Sequence, residues 1–261
     1  MTRERLVALE GALNVRDLGG YVGLDGRAVR WGLVFRSDAL HELTPGDRER
    51  LRALGLRAIY DLRKGHERAS APTALSVDEC GHRDVHLAVA EDPDEEPGPE
   101  IIDQIMAGTL PEADDGFMAD VYAQILLRGA TVFGRLLTHL TEDDGLPALF
   151  HCAAGKDRTG LAAALLLSVL GVPDDVILDD YELTNIYRSN RRIEVLRPTL
   201  EAAGVDIEKV RPFLSARRPV MAATLRHLRD DYGGVSSYLT GAAGMSPATL
   251  DRLRDLLLEP A

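Results

Sequence analysis

Apolar positions along this chain change period repeatedly. Four short runs read as strands: RWGLVFRS (30–37), LRAIYDLR (56–63), DVHLAVA (84–90) and LPALFHC (146–152). Each is aliphatic or aromatic, and three of them end in charged or polar residues. Between them the spacing is helical. In LTPGDRERLRALG, Thr44 suits an N-cap, Pro45 suits the first helical position, and Gly55 suits a stop. TGLAAALLLSVLG predicts a helix from Thr159 to Gly171, and residues 174–239 are helical in pattern almost throughout. Strands alternating with helices predict an α/β fold whose mostly parallel sheet is flanked by helices. Ligands in such sheets gather beyond the carboxyl ends of the strands. Arg36-Ser37-Asp38, Asp61-Leu62-Arg63 and His151-Cys152 would all emerge there.

Composition narrows the picture. A chain of 261 residues, 45% of them hydrophobic, can bury a substantial core and suits a single domain over 1–261. EDPDEEPGPE (91–100) is acidic, proline-rich and without apolar period, so it is expected to be a mobile loop that founds no domain. The net charge of −12 argues against a surface that tracks nucleic acid or an anionic membrane, so any anionic ligand needs a local basic pocket. The opening MTRERLVALE lacks the apolar core of a secretory signal, and the apolar run 161–172 is too short to cross a bilayer. Two cysteines, Cys80 and Cys152, make no disulfide framework, so the cytoplasm is the expected location. Export by a route without a signal peptide stays open, as does oligomeric state.

HCAAGKDRTG, from His151 to Gly160, carries the chemistry. The small residues Ala153, Ala154 and Gly155 let backbone N–H groups converge at the end of a strand, and the following helix adds the positive end of its dipole. That combination cradles an anion. The same field favours Cys152 as thiolate, the nucleophilic form. Arg158 offers a planar fork for two oxygens of a tetrahedral anion, Lys156 adds a cation inside the loop, and Thr159 has a hydroxyl to donate to the sulfur. A cysteine packed merely as a small hydrophobe would not need Lys-Asp-Arg beside it. A nucleotide-binding GxxxxGK(S/T) loop is excluded, because Phe150 stands at its first glycine and Asp157 follows the lysine.

The stretch resembles the HCxxxxxR(S/T) loop of cysteine-dependent tyrosine phosphatases, in the HCxxGKDRTG form of the bacterial tyrosine-protein phosphatase family, the Listeria LipA and mycobacterial PtpB group. NVRDLGGY (14–21), FRSDAL (35–40), YDLR (60–63), DDYELTNIYR (179–188) and YGGVSSYLTGAAGMSPATLDRLRDLLL (232–258) extend the likeness over nearly the whole chain. The resemblance implies hydrolysis of phosphate monoesters, phosphotyrosine and also phosphoserine or phosphothreonine, through a cysteinyl-phosphate with no metal or other cofactor. It makes Cys152 the nucleophile, gives phosphate binding to Arg158 and the backbone of residues 153–158, and has His151 orient the cysteine. Asp61 and Arg63 would support the loop, and the helices of 174–239 would form a lid. NVRDLGGY reads as a structural turn. Asp157 is the candidate general acid, since the only tryptophan, Trp31, is followed by Gly32 rather than by a Pro-Asp; the competing role is a brace paired with Arg63 or another arginine. Partners implied are a phosphorylated protein or a phosphoinositide. The alternatives are a phosphoinositide phosphatase, for which Lys156 speaks, and a non-catalytic phosphate-binding module. A metal site at Cys80, His82 and His86, and a Cys80–Cys152 disulfide, are not expected.

Overall fold

A computed structural model describes residues 4–77, 81–91, 104, 107, 109 and 113–261. Cys80 and nearly all of the acidic 91–100 stretch therefore lie outside the described residues. The central sheet has five strands, β1 (Arg16–Asp17), β3 (Val34–Ser37), β4 (Ala58–Asp61), β5 (Arg83–His86) and β6 (Ala148–His151), in the order β1-β3-β6-β4-β5. β3, β6, β4 and β5 are parallel, and β1 is an antiparallel edge. β2 (Ala28–Val29) pairs separately with β7 (Leu258–Glu259), tying the end of the chain to its beginning.

Side-chain alternation divides the core into two layers. Val34, Ala58, Tyr60, Ala148 and Phe150 face a large core, while Phe35, Ile59 and Leu149 face a smaller one. The smaller layer is closed by the N-terminal segment and α1 (Pro45–Ala53). Thr44 caps α1 as predicted, and Asp47 completes the capping box while also accepting the N–H groups of Glu10 and Gly11. The large layer holds α3 (Asp115–His139), α4 (Asp157–Val169) and the C-terminal helices α8 (Arg218–Tyr232), α9 (Val235–Gly241) and α10 (Pro247–Leu257). The sheet is thus covered on both faces, as a parallel sheet must be.

Several boundaries differ from the sequence reading, and one helix is additional. β3 begins only at Val34, because Gly32 sits at φ +80° and its N–H is taken by Asp17, which turns the chain before the strand. α4 starts at Asp157 rather than at Thr159, so Asp157 and Arg158 stand on the first helical turn. The long helix α3 was not predicted, although Asp114 caps it and Met118, Tyr122, Leu126, Ala130, Phe133 and Leu137 recur on one buried face.

Beyond Gly171, which ends α4 at φ +75°, come α5 (Asp174–Thr184), a π-helical turn (Asn185–Ser189), α6 (Asn190–Ala202) and α7 (Ile207–Leu214). α6 and α7 pack on a minor core of their own, Leu200 and Val210 with Leu196, Val205, Ile207 and Leu214 around them. No helix among the described residues is long and apolar enough to cross a membrane.

Candidate active site

β6 delivers His151 and Cys152 to the carboxyl edge of the sheet, and residues 153–156 turn the chain into α4. The turn depends on Gly155. Its φ is +64°, and a Cβ there would stand 2.5 Å from the Ser37 carbonyl oxygen. Two loop carbonyls are held from outside: Ala39 N–H donates to Ala153 O at 3.1 Å, while Arg36 Nη2 and Asn14 Nδ2 donate to Gly155 O at 2.8 and 3.1 Å. A trans peptide sets its N–H opposite its C=O. The N–H groups of Ala154 and Lys156 are therefore turned away from those partners, towards the inside of the loop.

Cys152 is 1% exposed. His151 approaches its carbonyl rather than its sulfur, with Nδ1 3.3 Å from Cys152 O, where the ring nitrogen can only donate. Burial lowers the His151 pKa, which favours the neutral ring. Asp61 and Arg63 form a buried forked pair, Arg63 Nε and Nη2 donating to Asp61 at 2.9 and 2.7 Å. Asp61 Oδ2 also lies 3.9 Å from His151 Nε2, and Leu62 N–H donates to the His151 carbonyl, which puts the pair beside the root of the loop.

Arg158 is gripped end-on by Glu67, a residue the sequence reading did not single out. Nη1 and Nη2 donate to the two Glu67 oxygens at 2.5 and 2.7 Å. Glu67 is in turn fixed at the start of α2 (Gly65–Ser70) by the Lys64 N–H at 2.7 Å. Burial opposes its ionisation, yet Arg158 and that N–H hold Glu67 below the usual carboxylate range. The pair sets the plane of the guanidinium.

Asp157 has two partners, and neither is the arginine suggested for a brace. Tyr122 OH donates to its Oδ1 at 2.7 Å and Lys156 Nζ lies 3.0 Å from the same oxygen. Tyr181 OH is 2.7 Å from Tyr122 OH. Burial, then Asp157, pushes the Tyr122 phenol far above its ordinary pKa, so it stays protonated and the chain runs Tyr181 to Tyr122 to Asp157. Lys156 is 2% exposed and also reaches Ser215 O at 3.4 Å, so it packs inside the structure rather than lining an open mouth. Thr159 is buried and its hydroxyl has no hydrogen-bond partner; the expected bond to the Cys152 sulfur is not made, since the earlier helix start fixes Thr159 inside the first turn. Ala153 is exposed and Ala154 half-buried.

NVRDLGGY does more than turn. Gly20, at φ +81°, serves the turn, but Asn14 and Arg16 are fully buried, and Asn14 holds the loop as described. Arg16 Nε donates to Asp180 Oδ1 at 3.1 Å, Arg36 Nη1 to Asp180 Oδ2 at 2.7 Å, and Tyr21 OH to Oδ1 at 3.0 Å. Asp38 accepts from Asn14 N–H and from Arg188 Nε, both at 3.0 Å. Burial works against the Asp180 charge, but Arg16 and Arg36 hold this carboxyl far below its ordinary pKa. Its stabilising contribution is therefore complete above the unfolded carboxylate value of about 3.9 and is lost as pH falls from there through the folded value. Wild-type protein should melt at progressively lower temperature below about pH 4, and Asp180→Asn should flatten that part of the profile. An equally steep acid limb in the variant would remove Asp180 from the account.

No group of three or more His, Cys, Asp or Glu among the described residues is placed to hold a metal ion. His86 is committed through Nε2 to the Arg63 carbonyl at 2.8 Å.

The model of the Tyrosine phosphatase family matches residues 7–259. A Cupriavidus necator protein described as a candidate tyrosine-protein phosphatase is 32% identical over 94% of this chain and 86% of its own. The Triple specificity protein phosphatase PtpB of Mycobacterium tuberculosis is 31% identical over 96% of this chain and 98% of its own. The Tyrosine-protein phosphatase of Nostoc commune is 29% identical over 84% and 72%. The loop that carries Cys152 and Arg158 thus sits inside a match that spans the chain, and the protein belongs to the tyrosine phosphatase family, whose members are phosphoric monoester hydrolases.

Proposed function

We propose that Cys152 attacks the phosphorus of an aryl or alkyl phosphate, that Arg158 and the N–H groups of residues 153–158 hold the three non-bridging oxygens, and that Asp157 protonates the departing oxygen. The S–P bond forms as the P–O bond breaks, and the electron pair of that bond leaves with the oxygen, which takes the Asp157 proton. Water then attacks the cysteinyl-phosphate, Asp157 recovers its proton, phosphate departs and the thiolate returns. The observation that carries this reading is the outward tethering of the Ala153 and Gly155 carbonyls beside a helix start that holds Arg158. Tyr122 and Lys156 both meet Asp157 at Oδ1, which supports Oδ2 as the oxygen that carries the transferred proton. His151, Asp61, Arg63 and Glu67 position these groups without touching substrate.

Phosphorylated protein side chains are the substrates of this reading, with phosphotyrosine foremost. The name of the mycobacterial relative supports breadth beyond one phosphoester. The test is phosphate release from phosphotyrosine, phosphoserine and phosphoinositide substrates in excess chelator, with Cys152→Ser as control. Release from phosphotyrosine that survives the chelator supports the reading; no release from any substrate supports a non-catalytic phosphate-binding module.

The same reading makes residues 174–239 a lid on one domain. Thr184, Arg188 and Ser215 meet Asn14, Asp38 and Lys156 at the loop's edge. Shortening α6 and α7, which share a minor core, should speed iodoacetamide alkylation of Cys152 while the melting transition is kept. An unchanged alkylation rate would place these helices away from the mouth.

A further inference from the structure

Among the described residues, several cations around the loop each face a carboxylate. Arg158 faces Glu67, Arg188 faces Asp38, and Lys156 faces Asp157. Arg63 and Arg68 face Asp61 and Asp84. His151 is pushed towards neutrality by burial. Behind the loop, however, Arg16 and Arg36, both fully buried, share the single carboxylate of Asp180. The cluster's other polar members, Asn14, Thr184 and Tyr21, are uncharged, and Tyr21 stays so because burial and Asp180 raise its pKa. Arg36 Nε is buried without a hydrogen-bond partner. One guanidinium charge is therefore left without a carboxylate in a region closed to water, an arrangement that is costly unless a counter-charge is nearby.

The sheet puts that charge next to the cysteine. Arg36 is in register with Phe150, two residues before Cys152, so its side chain leaves the sheet on the face of Phe150. From there its Nη2 holds the Gly155 carbonyl at 2.8 Å, on the outer side of the loop that carries the sulfur. Burial, followed by Arg16, pulls the Arg36 pKa down to about 10, and Asp180 and Cys152 act in the opposite direction. Arg36 meets the loop through the Gly155 carbonyl.

We infer that the surplus guanidinium of the Arg16–Arg36–Asp180 cluster is the standing counter-charge of the Cys152 thiolate, and that Arg36 is a positioning residue which also turns the Gly155 peptide. The inference rests on the reading of Cys152 as the nucleophile. It predicts a sign as well as an effect. Removing the Arg36 charge leaves Arg16 and Asp180 matched and takes away the counter-charge. Removing the Asp180 charge leaves two guanidinium groups uncompensated and strengthens the pull on the thiolate.

The experiment is the pH profile of Cys152 alkylation by iodoacetamide on the full chain, followed on the Cys152 peptide by mass spectrometry so that Cys80 does not contribute. Arg36→Gln should move the midpoint up by about one pH unit or more. Arg36→Lys, which keeps the charge, should move it much less, and Asp180→Asn should move it down. Superimposed profiles for wild type, Arg36→Gln and Asp180→Asn would overturn the inference. Should Arg36→Gln fail to melt cooperatively, Asp180→Asn decides alone, and an unmoved or raised midpoint overturns it. A wild-type midpoint near the ordinary thiol value of about 8.5 would instead overturn the nucleophile reading itself. A low wild-type midpoint that ignores both substitutions would leave that reading standing and remove only the role of the cluster.

Discussion

Cys152→Ser is expected to reduce turnover to background on every substrate while vanadate and phosphate still bind. The anion is held by Arg158 and by backbone N–H groups that the substitution does not touch, so recognition is retained. The serine hydroxyl, by contrast, is a far weaker acid than a thiol, and His151 faces a carbonyl rather than the nucleophile. Arg158→Lys should fail for a different reason. An ammonium cannot keep the fork that meets Glu67 at one edge and two phosphoryl oxygens at the other, and losing such a donor typically costs about 100- to 1,000-fold in rate. Steady-state kinetics on para-nitrophenyl phosphate, with vanadate titration, separates the two. Substantial hydrolysis by the serine form, with contaminating phosphatase excluded, would contradict the covalent mechanism. Near-normal rates for the lysine form would show that Arg158 serves Glu67 rather than substrate.

Asp157→Asn should slow phenyl or alkyl phosphates by about 100- to 10,000-fold and para-nitrophenyl phosphate far less, because a good leaving group needs no proton. The structure sharpens this expectation. Asp157 meets no arginine but a phenol and the Lys156 ammonium, both on one oxygen, so a brace role would run through Lys156. Tyr122→Phe removes the phenolic partner and should lower the rate on poor leaving groups by a smaller factor than Asp157→Asn. Equal slowing of good and poor leaving groups by Asp157→Asn would make Asp157 a brace and assign the proton to another acid. The kcat ratio between phenyl and para-nitrophenyl phosphate is the quantity to measure.

Contiguity explains which parts could be read from the sequence. The cysteine, the glycine that turns the loop, the arginine and the acid fall within seven residues, so their chemistry was visible in one short stretch. The strands were found by their apolar runs, and their ends were overextended where a local device such as the Gly32 turn stops the ladder. Partners across long separations were not visible. Glu67 meets Arg158 from 91 residues away and Asp180 meets Arg36 from 144, and nothing in a charged residue's identity says which opposite charge it will find. Overlooking α3 had a direct cost: Tyr122, the residue that orients Asp157, stands on its buried face among apolar neighbours where its hydroxyl was the only sign of function. The glycines of NVRDLGGY point only to a turn, whereas Asn14 and Arg16 belong to the network that holds the loop.

The covalent mechanism requires a phosphorylated cysteine. Rapid mixing of wild-type protein with an excess of aryl phosphate, quenching in acid and peptide mass spectrometry should find one phosphoryl group on the peptide containing Cys152, enriched early in turnover and absent from Cys152→Ser. Turnover at the wild-type rate with no adduct on that peptide, or an adduct on another residue, would contradict it.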